Sequence, residues 1–365
     1  MKESEGFASG SFWFFGGIFK KAFTFLTKNA ILFIKKQGGE KAMNFKQISP
    51  NGQVEGFAII THSEKKVTAK GKDYLDLVLS DSSGEISAKF WDYNPQIHGD
   101  FSAETLVKVR GTISQYNGAD QFRVERIRNV TESDHVNISD FVRSAAYKSE
   151  DMYDKLVAAV NAFSDEDLKK LVLHLLEKNR EDLLKWPAAY KLHHAIRGGL
   201  LLHTLSIVRL CEGVCKVYPF VDADLLIAGA VLHDIAKLRE YSVGNSGIAS
   251  GYTTEGNLIG HLVMGAREID EAAKELGTPA EKSMLLQHMV LSHHGDPEFG
   301  AAVRPSFLEA ELLSELDLMD ARVYQIAEAL APLQPGAFTN RLWALDNRKM
   351  YNHARGDMQK KVNLE

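Results

Sequence analysis

Residues 228–241 read AGAVLHDIAKLREY, a run of small and branched apolar side chains interrupted by adjacent His233 and Asp234 and closed by charge. Apolar residues on all faces mark a helix buried all round. A polar group buried there without a partner costs roughly 1–3 kcal/mol, so His233 and Asp234 each need one. Neighbours on a helix point about 100° apart, and they reach one shared ion only if that ion lies close to the helix surface.

The same pattern of polar residues inside apolar helical sequence recurs in KLHHAIRGGLLLHTLSIVRL (191–210), EGNLIGHLVMGAREI (255–269), MLLQHMVLSHHGDPEFG (284–300) and LSELDLMDAR (313–322). The three- and four-residue spacing of apolar positions predicts helices over 198–217, 223–236, 258–276, 280–292 and 307–331, preceded by one over 165–179 and a stripe from Met152 to Val160. Residues 151–331 therefore form an almost entirely α domain. One histidine in such a bundle is ordinarily a hydrogen-bonded core residue. That account does not cover His203, His233, Asp234, His261, His293, His294 and Asp317 together. Neutral imidazole and carboxylate are ligands for divalent cations, and side chains from separate helices can converge in a bundle core.

Upstream, the pattern changes. VEGFAII (54–60), YLDLVLSD (74–81), SSGEISAKFWD (82–92), TLVKVRGTISQY (105–116) and QFRVERIRNV (121–130) alternate apolar and polar residues between Gly, Asp and Asn turns, one of them at Asn117–Gly118. About five strands and no long helix within residues 43–133 predict a small closed barrel of the OB type, a fold that binds single-stranded nucleic acid on aromatic and basic strand faces. Tyr74, Lys89, Trp91, Tyr116 and Arg123 supply those residue types. The fold class is thus an N-terminal OB-like β-barrel followed by an all-α bundle.

Between the two, residues 134–150 are polar and read as a linker, and residues 332–365 form a tail of mixed character. Residues 1–42 contain SFWFFGGIFKKAFTFLTKNAILFIKK (11–36), too interrupted by lysine for a spanning helix of about 20 apolar residues. They read as an interfacial amphipathic segment able to touch a membrane surface, or as an extension with no folded role. The net charge of −5 gives no global positive field, so a polyanion would have to be held locally. Two cysteines, Cys211 and Cys215, lie in an apolar helical stretch and suit a reducing, cytoplasmic setting better than a disulfide framework.

HDIAK (233–237), preceded by His203 and followed by Asp317, resembles the HD-domain superfamily of metal-dependent phosphohydrolases. The barrel followed by HHAIRGGLLLHT (193–204), EGNLIGH (255–261) and LSHHG (291–295) is similar to the YhaM family of bacterial 3′ to 5′ exoribonucleases, from about Met43 to about Arg322. Ala236 stands where many HD domains carry Gly, a change compatible with a helix. The resemblance implies a first metal on His203, His233, Asp234 and Asp317. Asp234 would bridge to a second held by His261 with His293 and His294. Manganese is the expected ion, with iron, magnesium, cobalt and nickel as alternatives. Lys237 would neutralise a phosphate oxygen, while Arg197 and His194 would bind phosphate or give a proton to the leaving oxygen. The implied substrate is single-stranded RNA or DNA. The alternatives are a small nucleotide as substrate, or a non-enzymatic single-strand-binding regulator; a homo-oligomer is a further partner left open.

Overall fold

The structure is a computed structural model that describes residues 43, 52–81, 83–116, 119–136, 140–190, 195–244, 246–358 and 360–365. The expectations for residues 1–42, for the Asn117–Gly118 turn and for His194 lie outside them, as does the side chain of Tyr116.

Strands β1 (Gln53–Val67), β2 (Asp73–Asp81) and β3 (Gly84–Trp91), the short helix α1 (Pro95–His98), and strands β4 (Leu106–Tyr116) and β5 (Ala119–Asn129) come first. They close into a barrel of order β1-β2-β3-β5-β4, with every pairing antiparallel except β3 against β5. Period-2 alternation explains the interior: Leu75, Leu77 and Leu79 of β2, Ile86, Ala88 and Phe90 of β3, and Phe122 and Val124 of β5 all turn inward. β1 is buried on both faces over Phe57–Ile60. Ala58 and Ile60 fill the barrel, whereas Phe57 and Ile59 pack outside it against Phe141, Val142 and Ile248. The connecting segment read as a polar linker is therefore anchored to the barrel by this apolar pair, Phe141 and Val142.

Helices α2 (Ser149–Asn161), α3 (Glu166–Lys178), α4 (Arg180–Leu183), α5 (Gly199–Val217), α6 (Ala223–Leu232) and α7 (Lys237–Glu240) follow. Next come strands β6 (Tyr241–Val243) and β7 (Ala249–Tyr252), then helices α8 (Thr254–Leu258), α9 (His261–Leu276), α10 (Ala280–Ser292) and α11 (Leu308–Leu330). One core runs through them, with Leu201, Leu205, Leu226, Met289 and Leu313 among its buried members. Two features depart from the sequence reading. The helix expected to run to Ala236 stops at Leu232, because the His233 ring turns back to bond the Ala230 carbonyl at 2.8 Å. The hairpin β6–β7 interrupts a region read as wholly helical; its strands are too short to show a period.

This hairpin meets the barrel. The Gly244 N–H donates to Glu104 Oε1 at 3.0 Å, and a Cβ on Gly244 would stand 1.3 Å from Glu104 Oε2, so any side chain there would push the carboxylate aside. The tail also docks rather than ending free. Leu364 is buried in the helical core, Arg209 Nε donates to its carbonyl at 3.0 Å, and Lys155 pairs with Glu365 at 2.8 Å. No helix among the described residues is long and apolar enough to cross a membrane.

Candidate metal centre

Seven side chains from five helical segments meet in one cluster. His203 comes from α5, His233 and Asp234 from the turn after α6, His261 from the first residue of α9, His293 and His294 from the end of α10, and Asp317 from α11. Three groups of donors lie within 4.8 Å of one another and could hold a metal ion: His203, His233 and Asp234; His233, His293 and Asp317; and His261, His293 and His294. The sequence named all seven.

Four of these rings are oriented by a bond at Nδ1. His233 donates to the Ala230 carbonyl and His293 to the Val290 carbonyl, each at 2.8 Å. A carbonyl can only accept, so Nδ1 carries the proton and Nε2 keeps its lone pair. His261 faces Glu240 Oε1 at 2.9 Å through Nδ1, and its backbone N–H donates to the same oxygen at 3.1 Å. Gly260 allows this, since the chain enters α9 there with φ 76. His203 faces Asp320 Oδ2 at 2.8 Å through Nδ1 and Asp317 Oδ1 at 3.1 Å through Nε2.

Asp234 lies at the centre. Its Oδ2 is 3.3 Å from His233 Nε2 and 3.6 Å from His203 Nε2, whereas its Oδ1 is 3.5 Å from His261 Nε2 and 3.7 Å from His293 Nε2. Each oxygen thus serves a different pair of rings. Burial alone would neutralise this carboxyl, but Lys237 and His233 hold it well below the usual carboxylate range. Lys237 Nζ donates to Asp234 Oδ2 at 2.6 Å and is buried, so it is a partner of the cluster rather than a solvated cation.

Charge divides the rings. Burial, with His233 and His294 close by, pushes His293 well below its ordinary value, and burial with His261 nearby lowers His294. Both are neutral, as ligation needs. Burial also opposes a proton on His203, but Asp317 and Asp320 outweigh it and hold its pKa up to about 10. A cation taken up at Nε2 has to displace that proton.

The residues fit a cation. Asp234 Oδ1, His261 Nε2 and His293 Nε2 are buried with no hydrogen-bond partner among the described residues. Each such atom costs about 1–3 kcal/mol unless something else satisfies it, and these three converge on one space.

Of the other expected residues, Arg197 stands just before α5: its backbone pairs with Arg143 and Ala145, and a Cβ on Gly247 would come within 2.8 Å of its Cγ. Glu240 and Asp320 are the functional neighbours the sequence left out of the ligand set. Asp320 follows Asp317 by nearly one turn of α11, whereas Glu240 in LREY looks like an ordinary charged helix end.

On the barrel, Tyr74 and Trp91 sit directly opposite on β2 and β3, with ring centroids 4.7 Å apart and Trp91 40% exposed. Lys89 is paired with Asp76 and lies 5.7 Å from the Tyr74 ring centroid. In the parallel register of β3 and β5, Arg123 is the partner of Lys89, which puts all four on the outer face.

Residues 200–322 match the family model of the HD domain. Residues 60–130 match that of the OB-fold nucleic acid binding domain. The two matches fall on separate parts of the chain, the barrel first and the helical region after it. Among solved structures, the chain is similar to a chain of a replication protein A heterotrimer bound to ssDNA, with 17% identity, 23% of this chain, 62% of that chain and TM-score 0.19. It is also similar to the second OB-fold domain of replication protein A from Methanococcus maripaludis, with 17% identity, 22% of this chain, 86% of that one and TM-score 0.19. A third likeness is to the single-stranded DNA binding protein from Thermus aquaticus, with 15% identity, 22% of this chain, 40% of that one and TM-score 0.20. The chain thus spans less than two thirds of the first and third of these proteins.

Proposed function

We propose that the protein degrades single-stranded RNA from the 3′ end to mononucleotides at a two-cation centre, with the strand held on the Tyr74–Trp91 face of the barrel. The observation that supports this most is Asp234, whose two oxygens face separate sets of rings, while its Oδ1 and two buried ring nitrogens beside it have no hydrogen-bond partner among the described residues. His203, His233, Asp234 and Asp317 would hold one ion, and His261, His293, His294 and Asp234 the other. A divalent cation there supplies polarisation of the phosphodiester and a water acidic enough to attack near neutral pH.

The chain's own residues set up that chemistry. Glu240, Asp320 and the Ala230 and Val290 carbonyls fix ring direction. Lys237 balances the buried charge of Asp234. His194 is the proposed proton donor to the leaving oxygen, and Lys89 and Arg123 the proposed backbone contacts beside the aromatic pair. The direction of attack and the preference for RNA rest on the resemblance to the YhaM family.

The test combines elemental analysis of the purified protein with a time course on one oligoribonucleotide labelled at the 3′ or the 5′ end, in Mn²⁺. Immediate release of labelled mononucleotide from the 3′-labelled strand, and a ladder of shortened products from the 5′-labelled one, is expected. Hydrolysis confined to a panel of free nucleotides would establish the small-substrate alternative instead, and metal-free protein that binds RNA without product would overturn the enzyme.

A further inference from the structure

The loop that leaves α10 through His293 and His294 of the cluster holds an aromatic ring in solvent. His294 is the least buried of the histidines there and so lies towards its mouth. Gly300 closes against it: a Cβ at that position would be 3.4 Å from His294 Nδ1. The residue before it, Phe299, is 75% exposed.

This exposure is not the result of a loose loop. Gly295 N–H donates to the Ser292 carbonyl at 2.8 Å, Phe299 N–H to the Asp296 carbonyl at 2.8 Å, Gly300 N–H to the Pro297 carbonyl at 3.1 Å and Ala302 N–H to the Leu291 carbonyl at 3.0 Å. Arg304 bonds the Asp296 carboxylate at 2.7 Å, and the same side chain caps Glu298 N–H at 3.1 Å. Ala301 is buried. A fully bonded turn that keeps a large apolar ring in water leaves burial of that ring to something that binds.

We propose that Phe299 stacks the nucleobase of the 3′-terminal nucleotide while its phosphodiester lies at the cluster. The occupant follows from the position. A base is joined to the scissile phosphate through one ribose, so it falls within a few ångströms of any group that holds the phosphate, and Phe299 is one residue from the backbone that abuts His294. A base also offers a flat π-face without regard to sequence, which suits a degradative enzyme. This inference rests on the hydrolase reading above.

The experiment compares full-length wild type, Phe299→Ala and Phe299→Tyr in Mn²⁺. The substrates are two oligoribonucleotides identical except that one ends in an abasic ribose. Loss of one stacked base should raise KM for the normal strand about tenfold in Phe299→Ala. KM for the abasic strand should stay at its wild-type value, and Phe299→Tyr should keep the wild-type preference. Metal content should match in all three, since Phe299 is not one of the seven clustered residues. An active wild type whose Phe299→Ala variant treats both strands as the wild type does, or weakens both equally, overturns this inference alone. A wild type inactive on both strands overturns the hydrolase reading and the inference with it.

Discussion

The barrel face and the helical cluster carry the same kinds of side chain in opposite states. On the barrel, Lys66 and Lys89 are both bonded to Asp76, and Tyr74 already stacks on Trp91, so the face is satisfied as it stands. In the cluster, three buried ligating atoms have no hydrogen-bond partner among the described residues, and a buried carboxylate is surrounded by rings. Surface ion pairs of the barrel kind contribute about 0–1 kcal/mol, whereas unsatisfied buried groups cost more than that each. Order that destabilises the fold unless a ligand is bound is the stronger sign of function, and it lies in the helical region.

The hardest way to break that comparison is to remove the centre. In His233→Ala, Asp234→Ala, hydrolysis of an oligoribonucleotide should fall by on the order of a thousandfold or more, because several kcal/mol of charge stabilisation is lost. Metal content should fall with it, while strand affinity in a filter-binding assay stays unchanged. If nuclease activity survives, the cluster is not the site. Chelation of the wild type should also lower Tm in proportion to the logarithm of free metal, since an ion that binds only the folded state stabilises it by mass action.

A sharper cut targets support rather than ligation. Glu240→Gln keeps the shape around His261 but removes the charge facing Nδ1, and metal affinity should drop about tenfold with little change in the far-UV signature. An isothermal titration with Mn²⁺ that matches the wild type would show that the carboxylate merely fills space.

These residues also mark how far the sequence could be read. The seven clustered side chains were legible because polar residues inside apolar helices have few other uses. Glu240 was not, because nothing in LREY separates a buried charge from a solvated one; only the distant His261 makes the difference. The strand pattern likewise gave the barrel, as each strand is long enough to show a period of two. The hairpin Tyr241–Tyr252 was missed for the converse reason, having strands of three and four residues. Phe141 and Val142 are a pair without a period, so their docking on Phe57 could not be seen before the fold was known.

On the barrel the expected effects are smaller. Trp91→Ala should raise KM for a long oligoribonucleotide about fivefold through the loss of one stacking surface, and leave hydrolysis of a small phosphodiester unaltered. Equal effects on both substrates would assign Trp91 to packing against Tyr74 alone.

The weakest expected effect concerns the junction between the two regions, where Glu104 accepts from Gly244. Burial pushes the Glu104 carboxyl up, and the Gly244 N–H only partly opposes it. The folded protein therefore holds this proton more tightly than the unfolded chain does. By linkage, the corresponding stability is present below the model-peptide value of 4.5 and is lost as pH rises through the higher folded value. Glu104→Gln keeps the acceptor oxygen and removes the titration, so the difference in Tm between variant and wild type should shift in favour of the variant as pH goes from 4 to 7, by about one degree, since a fraction of a kcal/mol moves a unit of this size no further. Gly244→Ala should destabilise the wild type by about 1 kcal/mol, because the carboxylate must swing away and its hydrogen bond is lost. In a Glu104→Ala background the same change should cost less. Equal costs in both backgrounds would mean that backbone strain, not the carboxylate, fixes glycine at this junction. The barrel and the hairpin would then be held together by the Phe57, Ile59, Phe141 and Ile248 cluster alone.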